Sequence, residues 1–419
     1  MSASTGGPPR LLLLIPTASY RVADFMNAAA RLGVAVVVGT DRRPVLEAVS
    51  GGGAVVIDFA DSDRGAAEIV ALARERPFAA VVGSDDATAL VAAKAAAALG
   101  LAHNPPEAIV ASTDKYRQRR LMSAAGVAVP GFRRLELDDD PLAAARATRY
   151  PAVLKPLVLS ASRGVIRVDD AESFVAAFAR VAAILRGPDV ATLGAPARHL
   201  LVEDFIPGRE VALEALLIDG RLAPLALFDK PDPLDGPYFE ETLYVTPSRL
   251  PAPLQARISA TAAEAAAAIG LGEGPLHAEL RIDDEGGVWL IELAARSIGG
   301  LCGRTLRFGA GVGLEEVILR RALGESTAPP APEPGASGVM MIPIPRAGVL
   351  RAVSGEAAAR AVPLIEDLRL MIAPGQRLVP LPEGNRYLGF LFARGDDPAA
   401  VEAALRAAHA YLDFEIEAG

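Results

Sequence analysis

Two glutamates in the second half of the sequence stand where they can share a cation. Glu279 and Glu292 lie on two apolar, strand-like runs, and turn-forming residues at 283–287 join these runs. A hairpin of this kind would bring both carboxylates to one metal site. Arg296 follows at the entrance to a Gly-rich turn, where its fixed charge can meet an oxyanion that the metal also touches. The alternative for this segment alone is a solvated strand pair with Arg296 as its counter-ion.

A lysine and a loop of small residues farther upstream have the character of a phosphate site. Lys155 ends an apolar strand in the run YPAVLKPLVLSASRGVIRV, and residues 159–164 form a small-residue loop before the next strand. Successive backbone N–H groups of such a loop can approach phosphate oxygens, and a lysine on an apolar strand needs an anionic partner. The loop lacks the GxxxxGK(S/T) pattern of a Walker A loop. Alone, the segment also fits an ordinary hairpin.

A third segment, residues 200–217, has the pattern of a strand, a Pro-Gly turn and a second strand in LLVEDFIPGREVALEALL. Glu203 and Glu210 stand seven residues apart and can face one planar ligand across the turn. A purine nucleoside would fit, with backbone groups near Glu203 and Ile206 at the base edge and Glu210 at the ribose hydroxyls. Solvated strand ends are the alternative. Together, the three segments supply the groups needed to bind MgATP.

Strands and helices must hold these groups in place. In the first hundred residues, strand-like runs alternate with helical stretches. Apolar runs such as LLLLI and VAVVVG alternate with Ala-rich stretches at 22–32 and 86–99. This alternation predicts a parallel α/β layer. No GxGxxG follows a strand, so a dinucleotide site is not supported.

Capping residues mark where two helices should begin. Asp85 and Asp86 follow an apolar run, and N-capping the next helix is favoured over facing a ligand. Thr113 or Asp114 is predicted to N-cap a helix that starts at Lys115, and Gly126 stands where that helix should end.

Composition narrows the class of protein. A chain of 419 residues with 51% hydrophobic and 22% charged residues suggests a globular protein of two to four domains. The net charge of −9 disfavours a general binder of nucleic acids or anionic membranes. Cys302 is the only cysteine, which fits a reducing cytoplasm. The apolar run at 11–15 is too short for a signal peptide, and no run is long enough to span a membrane.

With these motifs in place, the sequence resembles the ATP-grasp superfamily, and within it the L-amino-acid ligase group, which makes dipeptides and related amides. The resemblance extends over nearly the whole chain and rests on STDKYRQR, PAVLKP, SASRGV, EDFIPGRE and the two glutamate strands. It implies an α/β ATP-grasp fold with a Rossmann-like N-terminal domain, a central α+β lid and a large C-terminal catalytic domain. The implied divisions are a disordered lead-in at 1–9, the N-terminal domain at 10–112, a linker helix and lid at 113–202, the catalytic domain at 203–325 and an L-amino-acid ligase type subdomain at 326–419.

The resemblance also assigns site residues. It implies Mg²⁺ or Mn²⁺ on Glu279 and Glu292, and catalytic roles for Arg296 and Glu241. The implied ATP contacts are Lys115, Lys155, Ser160, Ala161, Ser162, Gly164, Val165, Glu203, Asp204, Phe205, Ile206 and Glu210. The implied substrate contacts are Glu241, Tyr244, Arg296, Ser297, Gly299 and Gly300.

Two departures from the family pattern concern the metal and the substrate. Ala294 stands where many ATP-grasp enzymes have a metal-binding Asn, which leaves the number of metal ions open between one and two. Tyr244 stands where dipeptide ligases commonly carry a His, so the substrate pocket should differ from theirs. Gly299 and Gly300 leave space in that pocket, which points to a donor bulkier than alanine, although backbone conformation alone could also explain them.

The implied function is an ATP- and Mg²⁺-dependent carboxylate–amine ligase that forms a dipeptide-like amide through an acyl phosphate and releases ADP and phosphate. Its expected partners are a small-molecule carboxylate and an amine, both amino acids. No nucleic acid and no membrane is expected as a partner, and a homodimer is the assembly that we consider. One alternative is an ATP-grasp ligase for a non-amino-acid substrate in nucleotide or natural-product synthesis. Another is a non-catalytic nucleotide-binding protein.

Overall fold

The computed structural model describes residues 8–17, 19–42, 53–325 and 328–418. Most of the predicted lead-in, residues 1–7, lies outside the described residues. Within the described part, no helix combines the length and the apolar character that crossing a bilayer requires.

The N-terminal part is the predicted parallel α/β layer. Its sheet has the order β3-β2-β1-β4, and all of its pairs are parallel. Leu11 and Leu13 pack on one face and Leu12 and Leu14 on the other, because helices cover both faces of a parallel sheet. Its elements are β1 (Arg10–Leu14), α1 (Val22–Leu32), β2 (Ala35–Thr40), β3 (Ala54–Val56), α2 (Ser62–Glu75), β4 (Ala80–Gly83), α3 (Asp86–Leu99) and α4 (Pro106–Thr113).

A smaller antiparallel sheet follows, in the order β5-β8-β6-β7, with a long helix packed on it. The segment of residues 200–217 does not form one hairpin: its first strand lies in this small sheet and its second in the next, larger sheet. The elements are α5 (Lys115–Ala124), β5 (Phe132–Glu136), α6 (Pro141–Arg146), β6 (Ala152–Pro156), β7 (Ile166–Val168), α7 (Ala171–Leu185), α8 (Pro188–Ala191) and β8 (His199–Asp204).

The rest of the chain builds around an eight-stranded antiparallel sheet in the order β13-β12-β9-β10-β11-β16-β20-β18. Its elements up to residue 325 are β9 (Arg209–Ile218), β10 (Arg221–Asp229), β11 (Leu243–Thr246), α9 (Ala252–Ala268), β12 (Gly274–Ile282), β13 (Val288–Ala294), β14 (Arg307–Phe308), β15 (Val312–Gly313) and α10 (Leu314–Ala322). Helix α10 packs beside α1 in the core that covers one face of the N-terminal sheet.

The C-terminal part extends the same large sheet rather than forming a separate one. Strand β16 pairs with β11, and β20 and β18 follow it to the edge. A small sheet, β19-β17-β21, packs alongside. The elements are β16 (Ala336–Ile342), β17 (Gly348–Ser354), α11 (Glu356–Ala361), β18 (Ile365–Leu370), β19 (Arg377–Leu378), β20 (Gly389–Gly395), α12 (Pro398–His409) and β21 (Asp413–Glu417).

The predicted helix starts are confirmed. Asp85 caps α3 by accepting a hydrogen bond from the Thr88 N–H at 3.2 Å. Asp114 caps α5 by accepting one from the Arg117 N–H at 3.0 Å. Gly126, just beyond α5, has a φ of +80°, which glycine adopts without strain.

Candidate active site

The hairpin of β12 and β13 places Glu279 and Glu292 directly opposite each other in register. The Asp283 carboxylate holds the turn together, since it accepts hydrogen bonds from the Gly287 N–H at 2.6 Å and the Trp289 indole N–H at 2.7 Å. Opposed residues of an antiparallel pair point to the same face, so both carboxylates lie on one surface. Their side chains keep 21% and 31% of their exposure, which leaves their oxygens accessible.

Lys115, the first residue of α5, lies against this hairpin. Its ammonium is 3.2 Å from the Glu292 carboxylate and donates a hydrogen bond to the Leu159 carbonyl at 2.8 Å. One lysine therefore joins a predicted metal ligand to the start of the predicted phosphate loop.

Lys155 ends β6 in a fully buried ionic cluster. Its ammonium is 2.5 Å from the Glu203 carboxylate, whose other oxygen accepts a hydrogen bond from Arg119 Nε at 2.6 Å. Burial would raise the pKa of Glu203, but the charges of Arg119 and Lys155 lower it below its ordinary value. Burial lowers the pKa of Lys155, and Glu203 opposes that change. The anionic partner that the sequence required for Lys155 is thus a residue of the chain.

The small-residue loop joins β6 to β7 as an antiparallel hairpin connection. Ala161 and Ser162 have φ angles of +53° and +55°, so this stretch turns its backbone through the left-handed region. Gly164 has a φ of +75°, and a Cβ there would stand 2.8 Å from Pro156 Cγ. Ser160 is exposed and Val165 half-buried.

The loop also contacts the C-terminal part of the chain. The Gly164 N–H donates a hydrogen bond to the Pro382 carbonyl at 2.9 Å, and Arg163 Nε donates to the Glu383 carbonyl at 2.9 Å. Arg180 on α7 binds the Glu383 carboxylate at 2.5 and 2.9 Å. We call this set of contacts the loop latch.

The predicted adenosine segment is divided between the two sheets. The Glu203 carboxylate belongs to the Lys155 cluster, whereas the Glu210 carboxylate lies 2.7 Å from the Lys230 ammonium in the large sheet. The two carboxylates therefore have different partners and do not meet across the turn. Phe205 lies under the Arg167 guanidinium at 4.2 Å. The remaining residues of the segment, Asp204 and Ile206, are half-buried, and Asp204 pairs with Arg149 at 2.9 Å.

Three carboxylates surround the buried Lys230. Oxygens of Glu210, Glu241 and Glu279 all lie within 4.8 Å of one another. The Lys230 ammonium contacts Glu241 and is 3.5 Å from Glu279. Tyr244, also buried, donates its hydroxyl hydrogen to Glu241 at 2.7 Å. Burial opposes the charge on Lys230, yet the three carboxylates raise its pKa well above the ordinary value.

His277 links this cluster to a deeper carboxylate. Its Nδ1 is 3.1 Å from Glu214 and its Nε2 is 3.5 Å from Glu279. Burial opposes a charged imidazole, but the hydrogen bonds to both glutamates raise its pKa to about 9. The two glutamates thus favour the charged imidazole, and His277 lies where it can orient Glu279.

Arg296 stands at the end of β13 with its guanidinium on the N-terminal part of the chain. Its Nε donates a hydrogen bond to the Asp86 carboxylate at 2.9 Å. Burial opposes the charge, but Asp86 raises the pKa of Arg296 above its ordinary value. Asp85 forms the predicted helix cap, whereas Asp86 contacts a predicted catalytic residue.

The turn after Arg296 is fixed by a second arginine. Ser297 Oγ accepts a hydrogen bond from Arg21 at 2.8 Å, and the same nitrogen of Arg21 is 3.1 Å from Glu315. A Cβ at Gly299 would meet no atom within 4 Å, whereas one at Gly300 would lie 3.0 Å from the Phe390 ring. Only Gly299 therefore leaves free space.

Several residues of this site had no assignment from the sequence. Arg119, Glu214 and Arg21 reach it from elements far apart in the chain. The sequence could have indicated only Arg119, because it stands four positions after Lys115 and residues at that spacing share one face of a helix.

Cys302 is buried in the core.

The side chains of this site fit the metal ion and the nucleotide that the sequence implies. Carboxylate oxygens, which Mg²⁺ prefers, come from Glu279 and Glu292, and Lys115 adds a cation beside them. Lys155 and Lys230 each have carboxylate partners within the chain.

Three family models match the chain. An ATP-grasp domain model matches residues 148–305, an ATP-grasp N-terminal domain model matches residues 26–103, and the L-amino acid ligase C-terminal domain 2 model matches residues 340–417. With the fold and the site, these matches show that the chain belongs to the ATP-grasp superfamily. The C-terminal match is to a domain of L-amino acid ligases and covers residues 340–417.

Individual relatives are similar over part of their length. Alanine–anticapsin ligase from Bacillus subtilis is 28% identical over 60% of this chain and 55% of its own length. A D-alanine–D-alanine ligase from Cupriavidus taiwanensis is 26% identical over 49% of this chain and 62% of its own. The chain thus spans less than two thirds of the length of these curated relatives.

Several solved structures resemble nearly the whole chain. The L-amino acid ligase from Bacillus licheniformis matches with a TM-score of 0.79 at 24% identity, over 99% of this chain and 100% of that one. At this identity the likeness concerns the fold.

Proposed function

We propose that this protein is an ATP- and Mg²⁺-dependent carboxylate–amine ligase that joins two amino acids through an acyl phosphate. The observation that carries the proposal is the hairpin that sets Glu279 opposite Glu292, with Lys115 at 3.2 Å from Glu292. Two oxygen ligands and an adjoining lysine suit a metal-bound polyphosphate. Family membership and the names of the relatives support the same reaction class.

Charge neutralisation is the main demand of this reaction. A carboxylate oxygen takes the terminal phosphoryl group of ATP and ADP leaves; an amine nitrogen then bonds to the carbonyl carbon, phosphate leaves and the amine loses a proton. When bound, Mg²⁺ offsets the repulsion between the two anions. Lys115 and the backbone N–H groups of residues 160–165 would hold the phosphates in line with the attacking oxygen. Lys155 would join them by exchanging its partner Glu203 for a phosphate oxygen.

Arg296 would bind the carboxylate to be activated and then the oxyanion formed by amine attack. Removing one preorganised donor of this type typically costs roughly a hundred- to a thousand-fold in rate, and we expect Arg296→Met to fall in that range. Glu241 would face the ammonium group of the donor amino acid, and Tyr244 would fix the orientation of Glu241 through its hydroxyl.

The test is nucleotide release by the purified chain with MgATP and a matrix of amino-acid pairs. We expect ADP and phosphate only when both an acid and an amine are present, and AMP with pyrophosphate would contradict the proposal. Glu292→Gln should abolish turnover while the protein stays folded by circular dichroism. Glu285→Gln, on the exposed turn of the same hairpin, is the matched control and should keep wild-type turnover.

One observation favours the second candidate, a ligase for a non-amino-acid carboxylate or amine. Glu241 already has the Lys230 ammonium as an ionic partner, so the ammonium of an amino acid would have to share this carboxylate with Lys230. This candidate predicts that no amino-acid pair stimulates ADP release, although Glu292→Gln still removes a slow background hydrolysis of ATP. A non-catalytic nucleotide-binding protein would show neither activity.

A further inference from the structure

Three aromatic residues from two distant parts of the chain converge beside the turn at residues 297–300. The Phe390 ring centroid is 6.5 Å from that of Tyr20 and 6.0 Å from that of Tyr387. Phe390 also lies against Gly300, where a Cβ would stand 3.0 Å from its ring. We call Tyr20, Tyr387 and Phe390 the aromatic wall.

One ring of the wall is buried and another is accessible to solvent. Phe390 is only 2% exposed, while Tyr20 keeps 43% of its surface exposed. Arg21, the next residue, is fixed by Ser297 and Glu315, so the backbone at Tyr20 is anchored to the turn. A single exposed aromatic is ordinary. Here the informative point is that the ring packs on Phe390, which contacts Gly300, and that a Cβ at the adjoining, exposed Gly299 would meet nothing within 4 Å.

Hydrogen bonds connect the wall to Arg296 through Ser297: Arg21, next to Tyr20, donates to Ser297 Oγ at 2.8 Å, and Arg296 donates to the Ser297 carbonyl at 3.0 Å. Burial raises the pKa of Tyr20, Cys302 adds to the rise, and the charges of Arg21 and Arg296 oppose it. Burial likewise raises the pKa of Tyr387 well above its ordinary value, and Glu241 and Cys302 add to that rise. Arg296 thus acts on one tyrosine and Glu241 on the other, and Cys302 acts on both.

The two arginines near the wall already have carboxylate partners. Arg21 has Glu315 as its partner and Arg296 has Asp86. Aromatic rings present large apolar faces, and pairs of rings gain energy beyond the area that they bury.

We propose that the acyl donor is an α-amino acid with a large apolar or aromatic side chain, which packs on the aromatic wall, and that Tyr20 determines this preference. The inference rests on the proposed ligase function and narrows its substrate class. The donor carboxylate would lie toward Arg296, and its side chain would fill the space beside Gly299 and against Tyr20.

The experiment uses the full chain with MgATP and pairs of amino acids, and tandem mass spectrometry identifies which residue supplied the carbonyl. We expect L-phenylalanine, L-tyrosine and L-leucine to be preferred as donors over L-alanine, L-glutamate and L-lysine. Tyr20→Ala should lower kcat/KM for L-phenylalanine roughly tenfold through KM, and change that for L-alanine by less than about twofold, as loss of a hydrophobic contact does. Tyr20→Phe should keep the wild-type preference.

Tyr411→Ala is the matched control, because Tyr411 is an exposed tyrosine at the end of α12, and it should leave all donors unchanged. A preference for small or charged donors would overturn the inference, as would an equal loss for every donor in Tyr20→Ala. An absence of amide from any pair would overturn the ligase function itself, and it differs from these results because no donor profile would exist.

Discussion

Asp86 accepts a hydrogen bond from Nε of Arg296 at 2.9 Å, and so connects the start of α3 to the end of β13. The two residues are 210 positions apart in the sequence. We therefore predict that Asp86 is a positioning residue, which orients the arginine proposed to bind the reacting carboxylate from a different sheet layer.

Asp86→Asn should lower kcat about tenfold to a hundredfold, because a small misplacement of a catalytic group has effects of that size. The KM for ATP should stay unchanged, since Asp86 does not contact the proposed nucleotide residues. Steady-state kinetics with a productive amino-acid pair measure both quantities. Asp24→Asn, which removes a similar pair with Arg304 at 3.0 Å, should leave kcat unchanged. Equal effects of the two substitutions would refute the positioning role.

Glu203→Gln should destabilise the protein by about 3–5 kcal/mol, because it leaves the buried charges of Arg119 and Lys155 without their carboxylate. Urea unfolding followed by circular dichroism measures the free energy of unfolding. Asp138→Asn is the control on the surface of the same part of the chain, where its partner Arg186 lies at 3.4 Å and both are exposed. That change should cost less than about 1 kcal/mol. A stability of Glu203→Gln equal to that of the control would contradict the buried cluster.

Lys230→Met should destabilise the protein by about 3–5 kcal/mol without divalent cations, because three neighbouring carboxylates lose their ammonium. Millimolar Mg²⁺ should restore part of the loss, since a cation that binds only the folded chain stabilises it. Thermal unfolding with and without Mg²⁺, in the absence of ATP, tests this. Lys94→Met, at a half-buried lysine that pairs with the exposed Asp63, should show no such response to Mg²⁺. An equal Mg²⁺ shift for Lys230→Met and wild type would count against the prediction.

Acid should open the loop latch. The hydrogen bond from Arg180 lowers the pKa of Glu383 below its ordinary value of 4.5. A carboxyl with a lowered pKa stabilises the folded state above its unfolded pKa, and that contribution disappears as pH falls through the folded pKa. Between neutral pH and about pH 5 the latch should hold, and below about pH 4 it should weaken.

Hydrogen exchange of the Gly164 amide, corrected for the intrinsic rate at each pH, measures this change. Glu383→Gln should give the acid behaviour already at neutral pH, with no further change over the acid range. Asp189→Asn removes the exposed partner of Arg163 and serves as the comparison, since it leaves the Arg180 contact in place. Exchange that is insensitive to both pH and Glu383→Gln would rule out the latch.

Local features of the fold were predictable because they depend on neighbouring residues. The helices of residues 22–32 and 86–99, the Asp85 and Asp114 caps and the hairpin opposing Glu279 to Glu292 all follow from periodicity and turn chemistry, and the structure has them. The parallel order of the first sheet follows from alternating strands and helices.

Long-range partners were not predictable from one sequence. Nothing in the local pattern indicates that Glu203 pairs with Arg119, 84 residues away, or that Glu214 accepts the Ile298 N–H. Periodicity places a residue on a face of its own element, whereas the partner depends on which distant element packs there. The division of residues 200–217 between two sheets has the same origin, because a strand–turn–strand pattern does not state which sheet each strand joins. The site assignments that rest on family resemblance stay predictions.

The pairing of β11 with β16 has a consequence for protein engineering. Residues 243–246 and 337–340 are hydrogen-bonded neighbours inside the large sheet, and Leu243 and Val245 pack in a core shared with β16 and α12. Deleting the chain from residue 336 onward would bare the β11 edge and its apolar side chains, and such edges invite aggregation. The C-terminal segment therefore cannot be exchanged by itself. A chimera that takes this segment from a relative must also take the β11 strand that pairs with the relative's β16.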